Sequence, residues 1–343
     1  MARVGIIGHG WGERSQAPNF REAGLDVVAT AGRDNWRPLI ERQDIDLVSI
    51  VMPPSRHVEM TISALERGKH VVCEKPTALN TVQALQLLEA AREHPNQITI
   101  IDHELRFLPS FRAARERIGE LGPIRYAEVR YASPSRGDRS RPWNWWSDAD
   151  EGGGVWGAVG SHFVDALRYL ECDIEAVQAM LATIIDERSG KKVTSDDFAA
   201  VHLRLSGGQR PSAVPPAGGG WPPPLATMTF SAVASGPDEP TTFTIHGEGG
   251  AFRLMGEELL FAKPRGHFDR IAGGDLANRP GNSPGGAFGT GTYLLGVALK
   301  RAIDDGDRQA LAPAATFSDG LAQQRVLDAA RRSHGAGGRW QTV

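Results

Sequence analysis

The sequence predicts an α/β domain on a parallel sheet, followed by an α+β domain whose sheet is mostly antiparallel. Three observations predict it. Over the first third of the chain, apolar strand-length runs alternate with amphipathic helical stretches, the pattern of a parallel sheet covered on both faces. From about Gly122 alternating strands follow one another across Gly/Pro-rich turns, as in an antiparallel sheet. The length, 343 residues, exceeds what a single core usually serves. The boundary is placed so that residues 1–121 form the first domain and 122–343 the second.

In the first domain, strands are predicted at Val4–Ile7, Val27–Ala31, Leu47–Val51, His70–Cys73 and Ile98–Ile101. Met60, Ile62, Ala64 and Leu65 mark one intervening helix. Val82, Ala84, Leu85, Leu87, Leu88, Ala90 and Ala91 mark another, with Asn80 and Gln83 suited to cap it. Only Asn35–Asp44 separates the second strand from the third. That leaves room for one small helix, so the sheet is expected to lack a strand on that side. In the second domain, strands are predicted at Ile124–Tyr131, Phe198–Leu205, Ala226–Ala232, Thr241–His246 and Gly250–Leu254, and a closing helix at Phe317–Ser333. The stretch Gly207–Pro224 is low in complexity and reads as a loop, either a lid over a site or, as favoured here, a surface insertion.

Composition excludes several classes. Net charge is −3, with no basic surplus to recruit nucleic acid or a membrane surface. The longest apolar runs are strand-sized, too short for a bilayer. No leader-like segment precedes the strand at Val4–Ile7, and Cys73 and Cys172 make no disulfide framework, so a cytoplasmic protein is expected. Neither cysteine has a CxxC partner. His9 and His103 stand at no metal-ligand spacing, so no metal is expected.

The segment from Gly5 to Glu13 joins the first strand to the first helix. Gly8 permits a tight turn, and Gly10 lets the backbone approach a pyrophosphate seated on the helix N-terminus. The third glycine of the dinucleotide fingerprint belongs at position 13, where Glu13 stands; Gly12 is one residue early. Gly8, His9, Gly10, Trp11 and Gly12 are therefore candidate cofactor residues, against the plainer reading of a Gly-rich turn. The second strand runs into Gly32-Arg33-Asp34. A small residue followed by Arg leaves room for, and neutralises, a 2′-phosphate, which favours NADP; Asp34 facing inward would favour NAD.

Two further segments carry the chemistry. The strand His70–Cys73 runs into Glu74-Lys75-Pro76, and ligands in open parallel sheets bind beyond the strand ends. Lys75 would there bind a substrate hydroxyl and share in its proton movement; a Glu74–Lys75 salt bridge is the plainer reading. The glycines Gly152-Gly153-Gly154 lead into a helix on which Ala158, His162 and Asp165 share a face. Histidine titrates near neutral pH, so His162 suits proton transfer. The plainer reading of His162 is structural, and Asp165 is either its orienting partner or a helix charge.

With these pieces in order, the chain resembles the glucose–fructose oxidoreductase / inositol dehydrogenase / rhizopine-catabolism (Gfo/Idh/MocA) family. Gly8-x-Gly10, Pro53-Pro54-Ser55-Arg56-His57, Glu74-Lys75-Pro76, Arg106-Phe107-x-Pro109, Gly152 to Asp165 and Thr316-Phe317-Ser318-Asp319-Gly320 carry the likeness over nearly the whole chain. The resemblance implies a Rossmann domain, an open-faced antiparallel sheet that covers substrate and mediates a homodimer or homotetramer, NAD or NADP, and hydride transfer at a hydroxyl-bearing carbon of a sugar, cyclitol or small polyol. It makes Lys75 and His162 catalytic, sets Pro53, His57, Glu74 and Lys75 near the cofactor, and implies a cis Lys75–Pro76 bond. The family commonly has Asp four residues before the histidine, where this chain has Ala158. Glu104 and Asp102 are candidate substitutes. Glu104, Arg106, Trp146 and Asp165 are taken as substrate-binding. For Trp146 with Trp143 and Trp145 a core role competes with sugar stacking; Arg106, Arg139 and Arg141 face the choice between a substrate carboxylate and, with Arg136, a solvated charged loop.

Overall fold

A computed structural model of the chain describes residues 1–206, 223–273 and 286–343. Two compact units emerge. Of the described residues, the first holds 1–108, 150–152 and 286–324, and the second 109–149, 153–206, 223–273 and 325–343. Residues 286–324 and 150–152 thus group with the N-terminal unit, where the single boundary at 121/122 assigned them to the second domain. Of the predicted Gly207–Pro224 loop, residues 207–222 lie outside the described residues.

The first unit runs β1 (Arg3–Ile7), α1 (Ala17–Glu22), β2 (Asp26–Ala31), α2 (Trp36–Glu41), β3 (Leu47–Ile50), α3 (His57–Glu66), β4 (His70–Cys73), α4 (Thr81–Glu93) and β5 (Thr99–Ile101). The strands are parallel, in spatial order β5-β4-β3-β1-β2. Among the described residues β2 has no neighbour on its outer side, and α2 alone fills the short connection to β3, as the spacing predicts. Each strand feeds two cores, because side chains alternate faces. Ile7, Val71 and Cys73 enter one core with Trp36, Met60 and Leu87. Val4, Ile6 and Val72 enter the other with Phe20. At the head of α4, Asn80 Oδ1 accepts the Gln83 amide, while Gln83 reaches back to the Leu79 amide, so four-residue spacing satisfies donors that the helix leaves open.

The second unit runs α5 (Pro109–Arg117), β6 (Ile124–Ala132), α6 (Ser161–Tyr169), β7 (Asp173–Ala182), a small hairpin of β8 (Glu187–Arg188) and β9 (Lys191–Lys192), β10 (Phe198–Ser206), β11 (Leu225–Ser231), β12 (Thr242–Gly247), β13 (Ala251–Met255), β14 (Glu258–Ala262) and β15 (Asp269–Ala272). The last helices are α7 (Gly286–Asp304) and α8 (Phe317–Gly335), flanked by the short strands β16 (Ala315–Thr316) and β17 (Gln341–Thr342). The large sheet has the order β15-β14-β13-β12-β6-β11-β10-β7-β17, parallel only between β6 and β11. In β6, Ala127 and Val129 are buried while Tyr126, Glu128 and Arg130 are exposed, so one face carries the core and the other is open. On the buried face Phe163 packs against Phe230 and Phe243.

β7, β14 and β15 were not predicted. β7 hides because its pairing with β10 shifts at Arg204/Leu205, which leaves Glu175 unpaired and breaks the two-residue period. α7 returns to the first unit for a physical reason. α1 is only six residues long, and Leu295 and Leu299, both fully buried, fill the core it leaves uncovered. Each such leucine contributes about 2 kcal/mol. β16 closes the edge of the parallel sheet against β5. Among the described residues no helix is long and apolar enough to cross a membrane.

Candidate active site

The glycine turn after β1 is shaped by close approach. Gly8 has φ +139°, and a Cβ there would lie 2.1 Å from the Val51 carbonyl oxygen, so only glycine fits. A Cβ on Gly10 would meet nothing within 4 Å, which leaves the backbone open to a ligand. A Cβ on Gly12 would come within 2.9 Å of Ile6 Cγ2. Gly12 therefore does the packing of the fingerprint's third glycine, one residue early, and residues Gly12–Gln16 wind as a π-helical turn before α1 begins. Glu13 is left facing outward. Its carboxylate accepts from His9 Nδ1 at 2.7 Å and Thr30 Oγ1 at 2.9 Å. The His9 bond, seconded by Thr30, holds that carboxyl below its ordinary range. This cradle fits a dinucleotide pyrophosphate: Gly8, Gly10 and Gly12 supply the turn, the open backbone and the helix contact.

At the exit of β2, the Gly32 amide donates to Asn35 Oδ1 at 2.7 Å, and a Cβ at 32 would meet His9 Nε2 at 2.7 Å. A side chain at 32 would displace the exposed His9 ring. Arg33 is half-exposed and pairs with Glu151 at 3.3 Å; the same carboxylate accepts the Ser55 hydroxyl. Trp11 lies exposed at the turn.

At the end of β4, the Lys75–Pro76 peptide is cis. Glu74, Asp102 and Glu104 are all buried, at 8%, 1% and 3% exposure. Glu74 accepts the Lys75 amide at 3.2 Å. Asp102, one residue past β5, accepts from Gln16 Nε2 at 2.9 Å, and Gln16 in turn accepts the Ser49 hydroxyl at 2.5 Å. Burial is the first cause raising all three carboxyls. The charge of Asp102 raises Glu74 and Glu104 further, and the Lys75 ammonium opposes the rise in each. In a low-dielectric site three carboxylates beside one ammonium cannot all ionise, so the group retains protons at neutral pH.

Two residues expected at ligand contacts, His57 and Arg106, are held by scaffold partners. His57 at the head of α3 is fully buried, with Nε2 2.8 Å from the Met52 carbonyl and Nδ1 3.1 Å from that of Thr77. Burial depresses its basicity, so the neutral ring braces the loop after β3 against the one after β4. Pro53 is buried just before it. Arg106, predicted to bind substrate, is buried and donates to Asp319 at 3.2 Å, tying the turn after β5 to the start of α8.

In the second unit, His162, Asp165 and Ala158 are buried on α6 and the π-helical turn before it. Asp196 accepts the Trp156 amide at 2.7 Å and fixes the start of that turn. Its carboxyl is pushed up to about 6, chiefly by burial. Trp146 lies under the Arg136 guanidinium, 4.3 Å from ring centroid to carbon, and meets Trp145 edge-on. Arg136 is not a solvated charge: burial, then Arg141 and Arg188, lower it to about 10. Arg139 pairs with Asp186 on the surface.

Comparison with known proteins gives the family and the fold. The description "Oxidoreductase family, NAD-binding Rossmann fold" matches residues 28–102, and the GFO/IDH/MocA C-terminal domain matches residues 111–253. The glucose-fructose oxidoreductase domain-containing protein 2 of Xenopus tropicalis is 30% identical over 325 residues, covering 88% of this chain and 78% of the relative. The chain belongs to the Gfo/Idh/MocA family of oxidoreductases. A levoglucosan dehydrogenase of Pseudarthrobacter phenanthrenivorans is 30% identical over 201 residues, 55% of this chain and 50% of that one. Among solved structures, an oxidoreductase domain protein from Kribbella flavida superposes with TM-score 0.82 at 26% identity, over all of both chains. A levoglucosan dehydrogenase in complex with NADH and levoglucosan shares the fold at TM-score 0.81 and 23% identity, over 100% of this chain and 99% of that one.

For this Gfo/Idh/MocA chain, then, the NAD-binding Rossmann unit and the antiparallel second unit are as expected. Sequence reading missed Glu151, Gln16 and Ser49. Glu151 meets Arg33 across 118 residues, and Gln16 meets Asp102 across 86, and no local pattern reports such pairings.

Proposed function

We propose that the chain is an NAD(P)-dependent dehydrogenase or reductase acting on a hydroxyl-bearing carbon of a sugar, cyclitol or related small polyol. The observation that carries it is Lys75 just past the end of β4 with three buried carboxyls, Glu74, Asp102 and Glu104, that feel its charge. A pure dinucleotide binder has no use for that group. The nicotinamide, when bound, accepts or returns the hydride. Lys75 holds the substrate hydroxyl by its ammonium and moves the proton at that oxygen. Glu74, Asp102 and Glu104 are the buried carboxyls on which the Lys75 charge acts. His162 is the second proton-handling residue, oriented by Asp165 on the same helix, and Trp146 offers an aromatic face to sugar C–H groups. NADP is the favoured cofactor: position 32 is glycine and carries no acidic ribose acceptor, and Arg33 stands next to it. The protein is proposed to act in the cytoplasm as a homodimer or homotetramer.

A second reading, a non-catalytic NAD(P)-binding sensor, rests on Ala158, which carries no proton where the family commonly has Asp. A redox-assisted lyase with tightly held NAD would show turnover without net change at the nicotinamide absorbance band. The experiment is a polyol and sugar-ketone screen with NADP(H) and NAD(H), repeated on Lys75→Ala and His162→Ala. Each variant is expected to lose most turnover and keep nearly all cofactor affinity. Wild-type rates in both would refute the assignment, and binding without turnover over the whole panel would favour the sensor.

A further inference from the structure

Residues 150–152 form a strap on the first unit. A Cβ on Gly152 would lie 2.7 Å from the Pro54 ring and 3.1 Å from Leu79, so the strap is pressed against the segments that follow β3 and β4. It carries Glu151, whose Oε2 takes two donors: Arg33 Nη2 from the exit of β2 and the Ser55 hydroxyl from the turn after β3. β1 lies between β2 and β3, and the three run parallel. The two donors therefore flank the exit of β1, where the Gly8–Gly12 cradle lies, and one carboxylate spans it. At the cradle itself His9 and Glu13 are bonded to each other, and Glu13 also to Thr30.

We propose that Glu151 is a specificity-determining residue for the dinucleotide, holding Arg33 by its carboxylate so that a 2′-phosphate must displace it while a 2′-hydroxyl need not. The inference rests on the NAD(P)-dependent reading and refines it. The guanidinium fork serves a carboxylate or a phosphate with the same donors, so the two compete for one cation. The pair is part-exposed, 43% at Arg33 and 20% at Glu151, so water screens it and a phosphate with three acceptor oxygens can exchange for it. A neutral ribose hydroxyl has no comparable claim on Arg33. Glu151 thus penalises NADP relative to NAD, and the preference left to Arg33 is what survives that penalty.

The test is direct binding, read by fluorescence for NADPH and NADH and by calorimetry for adenosine 2′-phosphate against adenosine 5′-phosphate. Glu151→Gln keeps the shape and the acceptor for Ser55 but removes the charge. It is expected to raise the NADPH-to-NADH affinity ratio by roughly threefold to tenfold, mostly through NADPH. Adenosine 2′-phosphate should tighten in parallel. Arg33→Ala should collapse the ratio, and adding Glu151→Gln to it should then change nothing. An unchanged ratio in Glu151→Gln, with the ratio still collapsed by Arg33→Ala, would leave Arg33 as the phosphate contact and overturn the role of Glu151. Equal tightening of both dinucleotides would overturn it as well, since the charge would then act on the shared pyrophosphate. Binding of neither dinucleotide by the wild-type chain would remove the cofactor reading and this inference with it.

Discussion

Replacing Glu74 by Gln interrogates the Lys75 cluster with no substrate in hand. Burial first, then the Asp102 charge, push the Glu74 carboxyl from 4.5 up to about 8, against the pull of Lys75. An unfolded Glu titrates at its ordinary value, so the folded chain binds the extra proton throughout the window between the two. The sign follows: stability associated with Glu74 is fully present below about pH 4.5 and is lost as pH rises toward 8. At about 1.4 kcal/mol per unit, the full displacement sets a ceiling of about 5 kcal/mol. Glu74, Asp102 and Glu104 titrate together, which spreads the loss and brings the share removable at Glu74 to about 2–3 kcal/mol. Gln keeps the acceptor for the Lys75 amide and cannot ionise. The variant should therefore match wild type near pH 5 and exceed it by about 5 °C in unfolding midpoint near pH 9. Thermal unfolding of both proteins across that range is the assay. A difference that stays flat with pH, or that favours wild type at the alkaline end, would refute the claim that this site stores a proton.

The glycine turn gives a graded series. Gly8→Ala, with its Cβ 2.1 Å from the Val51 oxygen and φ +139°, should lower stability by about 3 kcal/mol or prevent folding, and Gly12→Ala should cost about 1 kcal/mol against Ile6. Gly10→Ala, with open space before it, should melt like wild type yet bind dinucleotide at least tenfold more weakly in a fluorescence titration. Asp319→Asn should cost about 2 kcal/mol in chemical denaturation, because the Arg106 guanidinium, 7% exposed, loses its counter-charge. Burial raises the Asp319 carboxyl, but Arg106 and the two Thr316 bonds outweigh it and hold it low, so the gap between wild type and variant should close as pH falls below about 4.

What could be read from the sequence was what local rules encode. Strand-then-glycine at Gly8 and strand-then-lysine at Lys75 each lie within a few residues, and backbone geometry alone places them at strand exits. The Asn80 cap is likewise a contact across three residues. What could not be read was set by distance along the chain or by loss of periodicity. The Arg106–Asp319 bond was not legible, because the two residues lie 213 positions apart. His57 looked like a ligand contact because sequence does not reveal that two backbone carbonyls, at Met52 and Thr77, close on its ring. β7 was lost to one bulge, and the return of α7 to the first unit turns on the shortness of α1, which leaves a core face for Leu295 and Leu299.

The carboxyl count around Lys75 bears on the alanine at position 158. A single carboxylate beside an ammonium forms an ion pair and holds no proton near neutral pH; its carboxyl is pulled down. Burial reverses this for Glu74, Asp102 and Glu104 alike, and the Asp102 charge adds to the rise at Glu74 and Glu104, against the pull of Lys75. In the proposed reaction, the group of three carboxyls around Lys75 serves proton exchange with no further carboxylate at position 158. Gln16 and Ser49 stiffen it: the Ser49 hydroxyl donates to Gln16, whose amide donates to Asp102, so the carboxyl given the most stable ionised form is the one farthest along a hydrogen-bonded chain into the core of β3. Asp102 then carries the charge and Glu74 the proton, adjacent in sequence to the lysine that the proposed reaction needs to recharge.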